Sequence, residues 1–202
     1  EILPGSVIDM EETSLRLGVS KTPLRDALLQ LEMEGFVTIL PRRKVVVNVL
    51  RLEDIKNYYE IIGALESTAL RQAFGLLGKP ELEEMARLNV EMKEAIGRDD
   101  FDLYYERNLA FHDMFLSRCG NDGLLKIVNN LKRRLYDFPR QQGFVKEWEV
   151  ASIGEHEAFL ELLQAGKKDE AAAHIRDVHW SYGYQENYIA KYYRRASEIC
   201  KG

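Results

Sequence analysis

Apolar residues recur along the chain with two different textures, and the change falls near residue 50. Before it, Leu24, Ala27, Leu28 and Leu31 stand at helical spacing and predict one buried stripe, while Lys21, Thr22 and Arg25 crowd the start of the same helix on its other side. Ser20 or Thr22 is placed to cap that helix, Pro23 falls in a first turn where a missing N–H does no harm, and Gly35 ends it. Upstream, Met10, Leu15, Leu17 and Val19 mark a short helix that turns through Gly18, which gives helix-turn-helix spacing. Downstream, residues 36–40 and 45–49 are β-branched runs joined by Pro41-Arg42-Arg43-Lys44, a hairpin with a basic tip.

Beyond the linker Leu50-Arg51-Leu52 the pattern is helical throughout. Ile55, Tyr59, Ile62, Leu65, Ala69 and Phe74 stripe a first helix closed by Gly75 and Gly78, and Pro80 opens a second that carries Leu82, Met85, Leu88, Met92 and Ile96. Asp99 or Asp100 caps a third with Phe101, Tyr104 or Tyr105, Phe111 and Phe115 inward. A fourth runs through Leu124, Ile127, Val128, Leu131 and Leu135, a fifth spans Trp148 to Leu163, and a sixth starts near Lys168 and continues past Tyr193. The expected fold is therefore mainly α: a winged helix-turn-helix unit over residues 1–50, then an all-α antiparallel bundle of about six helices over residues 51–202.

A helix start bearing Lys21, Thr22 and Arg25 suits the major groove, because backbone N–H groups favour phosphate and Arg25 can reach two acceptors of one guanine. The formal net charge of −5 does not oppose this, since Lys21, Arg25, Arg42, Arg43 and Lys44 are concentrated where phosphate would lie. No apolar run is long enough to cross a membrane, and no secretory leader is evident. Cys119 and Cys200 suggest no disulfide framework, so a reducing cytoplasm is the expected compartment.

Three of the four histidines fall on inner stripes of different helices: His112 with Asn108 one turn before it, His156 between Ile153 and Phe159, and His179 four after Ile175. One such histidine is ordinarily a satisfied core residue; three with an Asn make a metal or anion site a comparable reading. His174, five before His179, is expected to point elsewhere.

Pro4-Gly5, the run from Leu17 to Leu28 and Leu31-Glu32-Met33-Glu34-Gly35-Phe36-Val37 resemble the winged-helix signature of the GntR transcriptional regulators. The resemblance implies that Ser20, Lys21, Thr22 and Arg25 contact operator DNA, with the wing residues Arg42, Arg43 and Lys44 at the minor groove or backbone. Lys44 stands where the family usually has Gly, and the helix that opens the family's domain is expected to be missing before Pro4. The second half resembles the FadR-type ligand-binding domain (FCD) in Phe111-His112, Cys119-Gly120-Asn121, Glu155-His156 and the late His179. Its metal-binding branch holds a divalent ion with an Asp and three His, often with a small organic acid. Carried over residue by residue, this implies His112, His156 and His179 as ligands of Zn, Ni or Mn, with His179 offset by about one position. Asn108 replaces the Asp, and Ile62 replaces an Arg that holds effector carboxylates.

Three neutral imidazoles and an amide oxygen offset none of a divalent charge, so an anionic fifth ligand is expected. Without metal, Arg134 or Arg133 could supply the cation for such an effector. The expectation is a cytoplasmic, homodimeric, ligand-responsive regulator, a repressor of metabolic genes reading a palindromic operator, with no membrane partner. One winged helix reads too few base pairs alone. The alternative is a metal-dependent bundle enzyme acting on a small carboxylate, disfavoured because no carboxylate is seen to share the inner stripes as a base.

Overall fold

The computed structural model describes residues 4–41, 44–137 and 145–199. Arg42, Arg43 and Cys200 lie outside them. The first part runs β1 (Val7–Ile8), α1 (Met10–Leu17), α2 (Lys21–Met33), β2 (Val37–Leu40) and β3 (Lys44–Val47). Asp9 caps α1 by accepting from the backbone N–H groups of Glu11 and Glu12, and Gly18 turns the chain into α2 in a left-handed conformation. Ser20 holds the N-cap position of α2 without a side-chain cap bond, and Gly35, at φ +84°, follows its end. The hairpin β2–β3 is expected from sequence; the short β1, which pairs antiparallel with β3 to give the order β1-β3-β2, is not. This sheet and Leu24 and Leu28 of α2 enclose one small core of Ile8, Phe36, Val37, Val45 and Val47. Ala27, assigned inward by spacing, is exposed.

The second part has a core of its own. Its helices are α3 (Leu52–Ala73), α4 (Lys79–Gly97), α5 (Phe101–Leu116), α6 (Asp122–Asp137), α7 (Lys146–Gln164), α8 (Lys168–His174) and α9 (Tyr182–Ile199). Local capping sets several starts: the Asp54 carboxylate accepts from Arg51 N–H, Glu81 from Gly78 N–H and Asp100 from Leu103 N–H. Helix α3 is the centre, packing against α5, α6, α8 and α9.

The expected sixth helix is in fact broken. Ile175–His179 forms a π-helical turn, with the Trp180 N–H donating to Ile175 C=O five residues back at 2.9 Å. The break has a tertiary cause: the turn presses on α3 at Gly63, where a side-chain carbon would lie 3.0 Å from Trp180 Cβ. Only a glycine lets the two backbones approach that closely.

Candidate metal and effector centre

His112 from α5, His156 from α7 and His179 from the π turn converge, each buried, with one ligating nitrogen apiece all within 4.8 Å of one another. Their ring centroids form a nearly equilateral triangle with sides of 5.3, 4.9 and 5.0 Å. The π turn explains the offset of His179 noted from sequence: the turn takes up one extra residue and still delivers the ring to the interior. His174, as expected, turns away and bonds the Glu155 backbone C=O at 2.9 Å.

Every Nδ1 of the triangle is occupied from behind. His112 Nδ1 meets Glu66 Oε2 at 2.9 Å, His179 Nδ1 meets Glu155 Oε2 at 2.8 Å, and His156 Nδ1 meets Asn89 Oδ1 at 3.3 Å. A carboxylate only accepts, so Nδ1–H is the donor in the first two. In the third, Asn89 Nδ2 donates to Ile153 C=O at 3.2 Å, which turns its Oδ1 toward the ring. With each Nδ1 so held, the Nε2 lone pairs are the ones left to a cation. His112 Nε2, His156 Nε2 and Asn108 Oδ1 are buried with no hydrogen-bond partner. Such a set of orphaned acceptors is what a cation would satisfy, so the residues fit a divalent metal.

The residues that sequence reasoning missed lie behind the rings. Glu66 of α3 is fully buried and accepts from His112, from Trp180 Nε1–H at 3.0 Å and from the Lys132 ammonium of α6. Burial opposes its ionisation, but Lys132 and then His112 outweigh burial and hold it well below the usual carboxylate range. Glu155 accepts from His179 and from Gln185 Nε2–H at 2.6 Å. The expectation that no carboxylate would join the histidines is therefore corrected: two do, each as the acceptor that orients a ring. Burial, then Lys132, lowers His112 to about 4, and burial, then the crowding of the other histidines, puts His156 well below its ordinary value. Both rings are thus neutral at physiological pH, the form a metal requires.

Arg134 is not part of this cluster. Its guanidinium lies over the Tyr58 ring, 4.7 Å from the centroid, and against Gly35, where a side-chain carbon would come within 2.7 Å of it. Arg133 pairs with Glu34 at 3.5 Å and lies over Phe36. The cation that α6 sends to the cluster is Lys132, 4% exposed.

At the other end of the molecule, Ser20, Lys21, Thr22 and Arg25 are all exposed on the first turns of α2. Lys21, Thr22 and Arg25 line one groove with Lys44 at the start of β3, which sets cations on both its walls. Lys21 pairs with Glu11 at 3.0 Å, an exposed contact of little energetic weight that phosphate can replace.

Residues 57–179 match the FCD domain family. The chain belongs to that family. With its winged-helix part it is a GntR-type transcriptional regulator of the FadR subfamily, not an enzyme. It is 27% identical over 201 residues to the Nta operon transcriptional regulator of Aminobacter aminovorans, covering 98% of this chain and 88% of that one. It is 26% identical over 131 residues to the HTH-type transcriptional repressor RspR of Escherichia coli, covering 65% and 58% respectively. Among solved structures, E. coli McbR/YncC superposes with a TM-score of 0.73 at 21% identity, over 96% of this chain and 90% of that one, and so shares the fold. No helix among the described residues is long and apolar enough to cross a membrane.

Proposed function

We propose that this FCD regulator is ligand-responsive through its histidine centre: residues 1–50 bind a palindromic operator, and residues 51–202 hold a divalent metal of the Zn, Ni or Mn type with a small carboxylate effector and form the homodimer. The single observation behind this reading is the convergence of one ring nitrogen each from three buried histidines, within 4.8 Å of one another; Asn108, one turn before His112 and with its Oδ1 unpartnered, is the nearest further donor in sequence. His112, His156, His179 and Asn108 would hold the ion, which when bound supplies a Lewis-acidic position for a carboxylate. The charges behind the rings favour such a ligand. Glu66 is balanced by Lys132, whereas Glu155 is met by Gln185 and His179, neutral as a ligand. A divalent ion here keeps one uncompensated positive charge, which a monocarboxylate neutralises.

On the DNA side, Ser20, Lys21, Thr22 and Arg25 enter the major groove and Lys44, with Arg42 and Arg43, meets the backbone. A two-fold dimer doubles the bases read, and the working compartment is the cytoplasm. Repression of metabolic genes relieved by a small organic acid is the corresponding biology. The test is elemental analysis of protein purified without chelator or affinity nickel, beside a His156→Ala variant whose circular dichroism shows it folded. Near-stoichiometric metal lost in the variant supports the centre; metal in neither protein overturns it and leaves a metal-free organic pocket.

A further inference from the structure

Helix α6 touches both functional regions with three consecutive cations. Successive residues of an α-helix point about 100° apart, so neighbours in sequence face different partners. Lys132 points into the bundle, pairing with Glu66 behind His112 and lying 5.5 Å from the Trp180 ring centroid. Arg133 and Arg134 point to the winged-helix part, holding Glu34, Phe36 and Gly35, which form the end of α2 and the entry to β2. Arg134 is wedged: its guanidinium sits against the bare Gly35 backbone on one side and the Tyr58 ring of α3 on the other. Asn48, between the wing and the linker, donates to Gly35 C=O at 2.8 Å, so the same glycine also anchors the far end of the hairpin.

We propose that α6 is the strap that passes the state of the histidine centre to the recognition helix, with Lys132 as its inner end and Arg133 and Arg134 as its outer end. The inference rests on the proposed centre for its ligand but not for its mechanics. Glu66 is shared between Lys132 and His112, so any cation at His112 competes for Glu66 and repels the Lys132 ammonium. That differential interaction loosens the inner end of α6, and the junction with α2 is made in part by the two adjacent arginines. An anion beside the cation restores the balance, so the second ligand returns the strap toward its metal-free position.

Hydrogen–deuterium exchange of the full chain tests this without a known operator. Adding Zn²⁺ alone should change exchange of residues 30–40 by about fivefold or more, the lower end of usual coupling. An Arg133→Ala/Arg134→Ala variant should still bind Zn²⁺ in calorimetry, with an affinity changed by no more than about that same factor, and lose that response. A Lys132→Met/Glu66→Gln variant, which removes both buried charges together and so avoids an unpaired one, should shift the same residues with no metal present. Retention of the Zn²⁺ response in the double-arginine variant, or no shift at residues 30–40 in the metal-free Lys132→Met/Glu66→Gln protein, overturns the strap. Absence of Zn²⁺ binding in the wild type, with the shift still present in the latter variant, overturns the metal centre and leaves the strap standing.

Discussion

The amide at position 108 offers the sharpest test of how this centre is charged. Asn108 is 6% exposed, lies one turn before His112 on α5, and leaves its Oδ1 without a partner. Asn108→Asp changes the side chain by one atom type and adds a charge. At roughly 4 Å and an effective dielectric near 20, that charge attracts each unit of metal charge by about 4 kcal/mol. Two terms subtract. The new acid is buried, so in the metal-free protein it holds a proton that the metal must displace. The amide ligand it replaces was also worth something. A net gain of about 1.4–2.8 kcal/mol remains, a 10- to 100-fold tighter Zn²⁺ affinity by chelator competition. The metal-free variant should be less stable by about 1–3 kcal/mol, so the order of melting temperatures against wild type reverses when Zn²⁺ is added. Glu155→Gln is the complement: the Gln oxygen still accepts from His179, and its NH2 can face Gln185 once that amide turns its unpartnered Oε1 inward, so that mainly the charge is lost; affinity should fall about 10- to 100-fold. The double variant should return toward wild type. Equal or weaker Zn²⁺ binding by folded Asn108→Asp, or no recovery in the double variant, refutes the charge argument and leaves ring orientation as the sole role of Glu155.

Arg25→Ala should weaken operator binding by about 1–3 kcal/mol and relax preference at one base, measured by titration over a panel of substituted sites; unchanged affinity and preference remove Arg25 from the interface. Lys44→Ala should instead lower affinity evenly across sequences and reduce the salt slope by about one contact. Glu149 predicts a pH dependence: burial raises its carboxyl to about 7, only partly offset by the Tyr104 hydroxyl. Because the folded value is raised, its contribution is fully present below the unfolded value near 4.5 and is lost as pH rises through about 7. His112 acts in the opposite sense, since it is depressed to about 4 and withdraws its contribution as pH falls toward that value. Denaturant unfolding of wild type and Glu149→Gln at pH 5.5 and 8.5 separates the two: the variant should gain about 1–3 kcal/mol on wild type at the higher pH, and equal differences at both values refute the assignment.

The helix-turn-helix, the wing and the three histidines were legible because each rests on local periodicity. Helix α6 shows where that method slips. Its apolar residues Leu124, Ile127, Val128, Leu131 and Leu135 are too broad a set for one stripe, and Arg133 and Arg134 are the cations beside it that sequence suggests. The structure buries Leu124, Val128 and Leu135 as expected, adds Lys132 to them and leaves Ile127 half exposed. A lysine inside an apolar stripe is the signal that was present, and Glu66 gives the same signal four residues after Ile62 on α3. Both are charges that burial forbids singly and allows as a pair, and no local rule pairs residues 66 and 132. The π turn was illegible for a similar reason: its cause is the approach of Trp180 to Gly63, more than a hundred positions away.

A buried ion pair is weak grounds for stability, because two apolar side chains of similar volume serve as well or better. Lys132 and Glu66 therefore call for a different account from the packing around them. Glu66 sits at a branch point: His112 on one side, Lys132 on the other, with Trp180 fixing the carboxylate between them. Glu155 sits at no such branch: among the described residues its carboxylate accepts from His179 and Gln185 and pairs with no lysine or arginine. One carboxylate thus sets the charge of the centre and the other couples that charge to a helix leading out of it. Neutralising each would separate the two roles: loss of the Glu155 charge should change how tightly a cation is held while leaving the metal-free junction at Gly35 undisturbed, and loss of the Lys132–Glu66 pair should move that junction with no metal present and change cation affinity by no more than the coupling factor. A molecule in which both substitutions moved both properties alike would have one undivided core, not a centre and a strap.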